Sequence, residues 1–451
     1  MAEKTLIQKG IVLTLDKKVG NFHRASVLIE GTKIAAVGPD LNAEDAEVID
    51  ASDMIVMPGF VDTHRHVWQG ILRNIGTDVQ LEGNESYLSF ILTKLAPHFR
   101  PEDAHTGDLV GLYGAIDAGI TTILDWSEIQ ATREHADAVI SALHESGIRA
   151  VFAYGYPQWK KVDDKQGDWF RDIAKQYFSS KDQLLTLALA PAGPEFTPFE
   201  VAKAQWLLAR EIGARITVHV GVGTAGKQGK LAEMGKAGLL SNDTTYVHCT
   251  TLSDEEIGMI VDTGGTISLS VPTEMMMGYG MPPIQKFLDS GLRPSLGVDV
   301  ETNMPNDMFT QMRTVYSLQR SMIFEKKLAR KGGLPAMLTA RDVLEFATIE
   351  GARANGLLDK TGTLTPGKEA DLIMLRADLP NILPINDPIS AVTWGMNTSN
   401  VDSVFVAGKA LKRDGKLLNV DLVCLMQQAH EARDYVIAKS GFKLPPIEGH
   451  S

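Results

Sequence analysis

Cysteine is almost absent from this chain: Cys249 and Cys424 are the only 2 among 451 residues. So few thiols leave no disulfide framework and no cysteine-built zinc site. Positive charge is also in short supply. Lysine and arginine number 44 against 56 aspartates and glutamates, a net charge of −12. That balance argues against nucleic acid or an anionic membrane as partner, since both favour a basic face. No apolar run reaches membrane-spanning length, and the opening MAEKTLIQKGIVLTLD carries charges where a secretory leader needs an apolar core. A cytoplasmic location is expected. Two further absences bear on ligands. The first buried strand is not followed by a glycine-rich phosphate turn, and no arginine or lysine cluster marks a phosphorylated substrate.

What is present has two textures. The first segment reads as short strands with tight turns: TLIQKGIVLTLD, ASVLIEGTKIAAVG and AEVIDASDMIVMPG. The same style returns in GTLTPGKEADLIMLRAD and VDSVFVAGKALKRDGKLL. Each piece alone buries little apolar surface, so residues 1–57 and 362–420 are expected to pair into one composite β-sandwich domain. Between them, near-continuous apolar strands alternate with amphipathic stretches. The strands read as MIVMPGFVDTHRH, TTILD, IRAVFAYG, LLTLALAPAG, RITVHVG, TTYVHCTT, TISLSVPT and RPSLGVDV. This alternation predicts a parallel sheet buried on both faces, and with these strands a (β/α)8 TIM-type barrel over 58–361. A doubly wound open sheet is the second possibility. Residues 421–451 read as an amphipathic helix and a tail.

The chemistry sits at the strand ends. His64 and His66 close the first barrel strand two residues apart, on one side of it. His219 closes the fifth, His248 the sixth and Asp299 the eighth. Barrel sites lie at that C-terminal face, so these five side chains are expected to converge. One such histidine alone would read as a hydrogen-bonded core residue, but the matched set reads as a metal site. Imidazole and carboxylate suit zinc and also iron(II). Asp299 is a candidate to bind the ion and take a proton from water, and His248 to polarise the substrate. Spacing alone does not separate ligand from supporting histidine.

The motifs PGFVDTHRH, VHV at His219, YVHC at His248, GVD at Asp299, ATIEGARANGL from Ala347 and GTLTPGKEADLIML from Gly362 together resemble the amidohydrolase superfamily. The resemblance is to its cytosine-deaminase-like branch, which includes triazine and guanine hydrolases, and it covers essentially the whole chain. It implies His64, His66, His219 and Asp299 as ligands of a single divalent ion, with His248 between metal and substrate. Two departures stand out. The end of the fourth strand, LLTLALAPAG, offers no lysine to bridge a second ion. Deaminases of this branch place a glutamate three residues after the strand-5 histidine, and here that position is Val222. Glu274 and Glu301 are candidate replacements as catalytic proton carriers, each with the alternative of a solvated loop glutamate.

For the substrate pocket the candidates are Trp68 and Gln69 after the HRH motif, Trp126 beyond strand 2, and Met277 and Tyr279 in TEMMMGYGM. The methionines either adapt to a flat ligand or pack beneath their loop. The segment from Thr77 to Pro97 is either a lid or an ordinary covering helix. The expected function is mononuclear metal-dependent hydrolysis at an sp2 carbon of a small nitrogen heterocycle, releasing ammonia, an amine or a similar group. The alternative is cleavage of a cyclic or exocyclic amide. A non-catalytic binding or assembly role is the third reading, disfavoured because the ligand set is complete. Relatives imply a homodimer or homotetramer.

Overall fold

The structure, a computed structural model, describes residues 4–83, 86–160 and 164–444. The tail beyond 444, and residues 84 and 85 within the Thr77–Pro97 segment, lie outside the described residues. Barrel strands are β6 (Phe60–His66), β7 (Ile120–Ser127), β8 (Arg149–Gly155), β9 (Leu185–Ala190), β10 (Arg215–Val220), β11 (Thr244–His248) and β12 (Thr266–Leu269). The last barrel position is shared by β13 (Ser295–Leu296) and β14 (Asp299–Val300). Every pairing is parallel. β13 pairs with β12 while β14 pairs with β6, so the interrupted strand brings the sheet back to its start and closes it.

Alternation along these strands sorts the side chains. Leu124, Trp126, Val151, Ala153, Ala188 and Ala190 share one apolar cluster at period two and fill the barrel interior. Ile123, Phe152 and Leu189 join the other cluster, where helices pack. Helices such as Pro101–Asp117, Arg133–Ser146 and Phe199–Ile212 connect successive strands.

The second sheet draws on both ends of the chain. Its strands are β1 (Lys4–Val12), β2 (Phe22–Glu30), β3 (Lys33–Gly38), β4 (Glu47–Asp50), β5 (Met54–Pro58), β15 (Leu372–Arg376), β16 (Val401–Val406), β17 (Lys409–Arg413) and β18 (Lys416–Leu417). They form one mixed sheet, in which antiparallel pairing of β15 with β5 joins the two segments. Val12, Val27, Ile34, Val56, Leu372 and Met374 pack as its core.

One expected strand is corrected. MIVMPGFVDTHRH reads as continuous, but the chain turns at Gly59, so β5 belongs to the small sheet and β6 to the barrel. A Cβ at Gly59 would lie 2.1 Å from the Thr121 side chain, which explains the residue at the pivot. The helix Leu422–Ser440 packs on Pro101–Asp117, with Arg100 lying 3.8 Å above the Tyr435 ring. The segment after β6 is helical over Leu88–Leu95 and buries Ile91, Leu92 and Leu95 beside the barrel mouth.

Candidate metal centre and active site

β6 ends inside the barrel mouth, and the period of two puts His64 and His66 on its inner side while Arg65 points the other way. The Nε2 atoms of both histidines reach Asp299 Oδ1, at 3.2 and 3.3 Å. His219, from β10, places Nε2 3.2 Å from that of His64. His248, from β11, faces Asp299 Oδ2 with Nε2 at 3.8 Å. The five side chains expected to converge therefore do so. Backbone conformation helps, because His248 (φ 71°) and Asp299 (φ 73°) adopt the left-handed region that such residues seldom occupy. Strain of this kind, on the order of 1–3 kcal/mol, persists where surrounding structure enforces it.

Electrostatics suit a cation. Burial drives the pKa of His64 and His248 down to about 4 and that of His219 well below its ordinary value, so these imidazoles are neutral, each with one unprotonated ring nitrogen. Burial opposes ionisation of Asp299, yet His64 and His66 hold its carboxyl well below the usual range. Burial also disfavours an imidazolium at His66, but Glu128 and Asp299 push its pKa up to about 10. Two neutral nitrogens facing each other at 3.2 Å, a buried Asp299 Oδ2 with no partner, and a histidine drawn toward positive charge all fit a bound divalent ion. His64, His219 and His248 form one group able to hold it, and His64, His66 and Asp299 another. β9 ends at Ala190 with no lysine beside it.

Residues 55–411 match the model of the amidohydrolase family. The chain belongs to that family. Two curated relatives are each 28% identical over 92% of this chain and 95% of their own length. One is a 5'-deoxyadenosine deaminase of Methanothermobacter thermautotrophicus. The other is a 5-methylthioadenosine/S-adenosylhomocysteine deaminase of Pyrococcus abyssi. Among solved structures, an atrazine chlorohydrolase of Arthrobacter aurescens complexed with zinc and atraton superposes with a TM-score of 0.84 at 23% identity, covering 95% of this chain and 100% of that one. The present amidohydrolase is thus a metal-dependent hydrolase acting on non-peptide carbon–nitrogen bonds.

In this amidohydrolase the other expected residues divide. Glu274 stands behind His248, with Oε1 3.2 Å from Nδ1, and burial raises its pKa well above the ordinary value. Glu301 is placed elsewhere. Its carboxylate pairs with Arg65 at 3.2 Å and Arg73 at 2.9 Å, on the side of β6 away from the histidines. Trp126 lies against the His219 ring, with centroids 3.9 Å apart, so it supports a histidine. Trp68 is fully buried against Phe99 and does not reach the cleft, because the turn after β6 directs it toward Pro101–Asp117. Gln69 is also buried and donates to the Tyr87 hydroxyl at 2.6 Å. Met277 packs beneath its loop, and only Tyr279 lines the cleft, with its ring edge-on to His248 at 4.7 Å.

The cleft above the histidines is walled by Leu81, Tyr87, Leu88, Leu92, Phe196 and Val222, with Glu82 and Gln158 among its polar groups. Its volume is about 60 Å³. An engineered cavity of ~150 Å³ holds benzene, so the space between these walls is narrow for a substituted ring.

Sequence reading missed Glu128 and Glu82. Glu128 sits 2.8 Å from His66 Nδ1, the arrangement that fixes a metal-binding histidine's orientation. Its one sequence signal was the period-two spacing from Trp126 at the same strand end. Glu82 reaches Thr224 Oγ1 at 3.2 Å, across from Val222, and is the one carboxylate in the cleft wall among the described residues.

Proposed function

We propose that this amidohydrolase removes ammonia, or a comparable leaving group, from a neutral, flat nitrogen heterocycle carrying an apolar substituent. The wall of the cleft is the observation that carries this reading. Among the described residues it combines aromatic and branched aliphatic side chains with one carboxylate, and contains no lysine or arginine. Such a wall suits a ring with a neutral arm and gives nothing to a phosphate. Deaminases of 5'-deoxyadenosine and 5-methylthioadenosine among the relatives support an amine-bearing purine as first candidate, and the triazine enzyme supports a second.

His64, His66, His219 and Asp299 would hold one divalent ion, zinc ahead of iron(II). When bound, that ion supplies Lewis acidity and lowers the pKa of water. Asp299, with Oδ2 unpartnered, takes the proton of the attacking water. Glu274 keeps its own proton because of its burial, so His248 Nδ1 accepts from it and Nε2–H is left to donate to the substrate atom beside the attacked carbon. Glu82 takes the place of the glutamate missing at Val222 and delivers a proton to the departing nitrogen. Leu81, Glu82, Leu88 and Leu92 would lie against the bound ring and keep water from it. The reading includes a cytoplasmic, homo-oligomeric enzyme.

Val222 itself favours amide hydrolysis as a second reading, since Asp299 could then carry the proton unaided. A panel of aminopurines, aminopyrimidines and aminotriazines assayed for ammonia, beside amides assayed for carboxylate, separates the two. Ammonia from a ring amine, abolished by chelation and restored by zinc, is expected. Carboxylate release alone would overturn the proposal in favour of the amide.

A further inference from the structure

A second cavity, about 560 Å³ in volume, lies at the far end of the barrel from the histidines. Its wall uses Val151, Thr186 and Arg215, near the starts of β8, β9 and β10, whereas the metal site uses strand ends. The volume falls within the ~300–1,000 Å³ of small-molecule sites. Among the described residues no aspartate or glutamate lines it, in a chain that carries 56 of them.

Its cations are under-compensated. Arg171 is held by Glu211 at 2.9 Å. Among the described residues, Lys175, Lys181, Arg215 and Lys360 have no carboxylate within ion-pair distance. Arg215 is the most telling, because among the described residues its guanidinium donates to the carbonyls of Asn242 at 3.3 Å and Ala354 at 3.1 Å and to no carboxylate. The nearby Asp243 is gripped by Arg210 at 2.7 Å. Asp243 favours the partly buried Arg215 cation from a distance but is shared with Arg210, and an anion in the cavity would complete the balance. Phe178, Leu187 and Leu357 give the wall an apolar part, and Asn355, 3% exposed, lines it with Oδ1 unpartnered.

We propose that this cavity binds a small organic anion: a phosphate or carboxylate on a compact apolar body. The head group lies among Arg215 and the lysines, and the body lies against the apolar wall. The bidentate geometry of guanidinium suits either head group. The site is separate from the reaction and does not depend on which substrate the metal centre takes.

Calorimetric titration of the metal-loaded protein with phenyl phosphate, benzoate and inorganic phosphate tests this. Saturable binding of phenyl phosphate or benzoate is expected, and the tighter of the two identifies the head group. The double variant Lys175→Glu/Lys181→Glu, at exposed positions that leave folding intact, should weaken it by about tenfold or more. Arg215→Gln should weaken it in the same way, and His219→Ala should leave it unchanged. Four results would overturn the proposal: no saturable binding of either organic anion, equal affinity in the lysine variant, loss in His219→Ala, or inorganic phosphate binding as tightly as phenyl phosphate.

Discussion

Glu128 holds His66 from behind, its carboxylate 2.8 Å from Nδ1, while Nε2 of the same ring faces Asp299 at 3.3 Å. Glu274 does the same for His248 at 3.2 Å. Each carboxyl fixes which ring nitrogen faces the cluster. Glu128→Gln should lower metal affinity by about 10- to 100-fold, read by competition with a chelator. Glu274→Gln should leave metal content near normal and depress turnover. Unchanged affinity in the first variant would remove Glu128 from the metal centre.

Glu82 faces the loop at Val222 and Thr224. If it delivers the leaving-group proton, Glu82→Gln should cut the rate of ammonia release by about 100-fold or more. A substrate that loses chloride needs no such proton, so its rate should fall far less. Parallel losses on both substrates would assign Glu82 to binding.

Gly297 separates β13 from β14 and presses on the first metal-site histidine. A Cβ there would stand 2.8 Å from His64 Cβ and from its carbonyl oxygen. Gly297→Ala should cost about 1–3 kcal/mol in urea unfolding and loosen metal binding. Gly332→Ala, with open space around its Cβ, should stay within about 0.5 kcal/mol of the parent. Equal stability of the two variants would mean the barrel accommodates the methyl group.

Glu195 accepts the amides of Gly221 and Val222, at 2.5 and 3.4 Å, and so ties down the loop after His219. Burial pushes its pKa up from 4.5 to about 7. The folded protein therefore favours the protonated acid. Stability from this group is complete below pH 4.5 and is lost as pH rises to about 7, at no more than ~1.4 kcal/mol per pH unit. Melting temperatures across that window should decline less steeply in Glu195→Gln than in the parent. Parallel curves would dismiss the linkage.

The sequence by itself determined the convergence of His64, His66, His219, His248 and Asp299. Strand alternation and position at a strand's C-terminal end are local properties, and a closed parallel barrel turns matched ends into one site. It also determined that no lysine ends β9 and that Val222 stands where a glutamate was expected. Tertiary structure decided which neighbours face that site. Trp68 and Gln69 follow the HRH motif directly, yet the chain leaves β6 toward Pro101–Asp117 and buries both. Glu301 lies two residues past Asp299, yet Arg65 and Arg73 claim it on the other face of β6. Glu128, Glu274 and Glu82 acquire their partners across 62, 26 and 142 residues of chain. Local pattern fixes the side of a strand a residue occupies, but side-chain partners so distant in sequence are set only when the strands and loops pack.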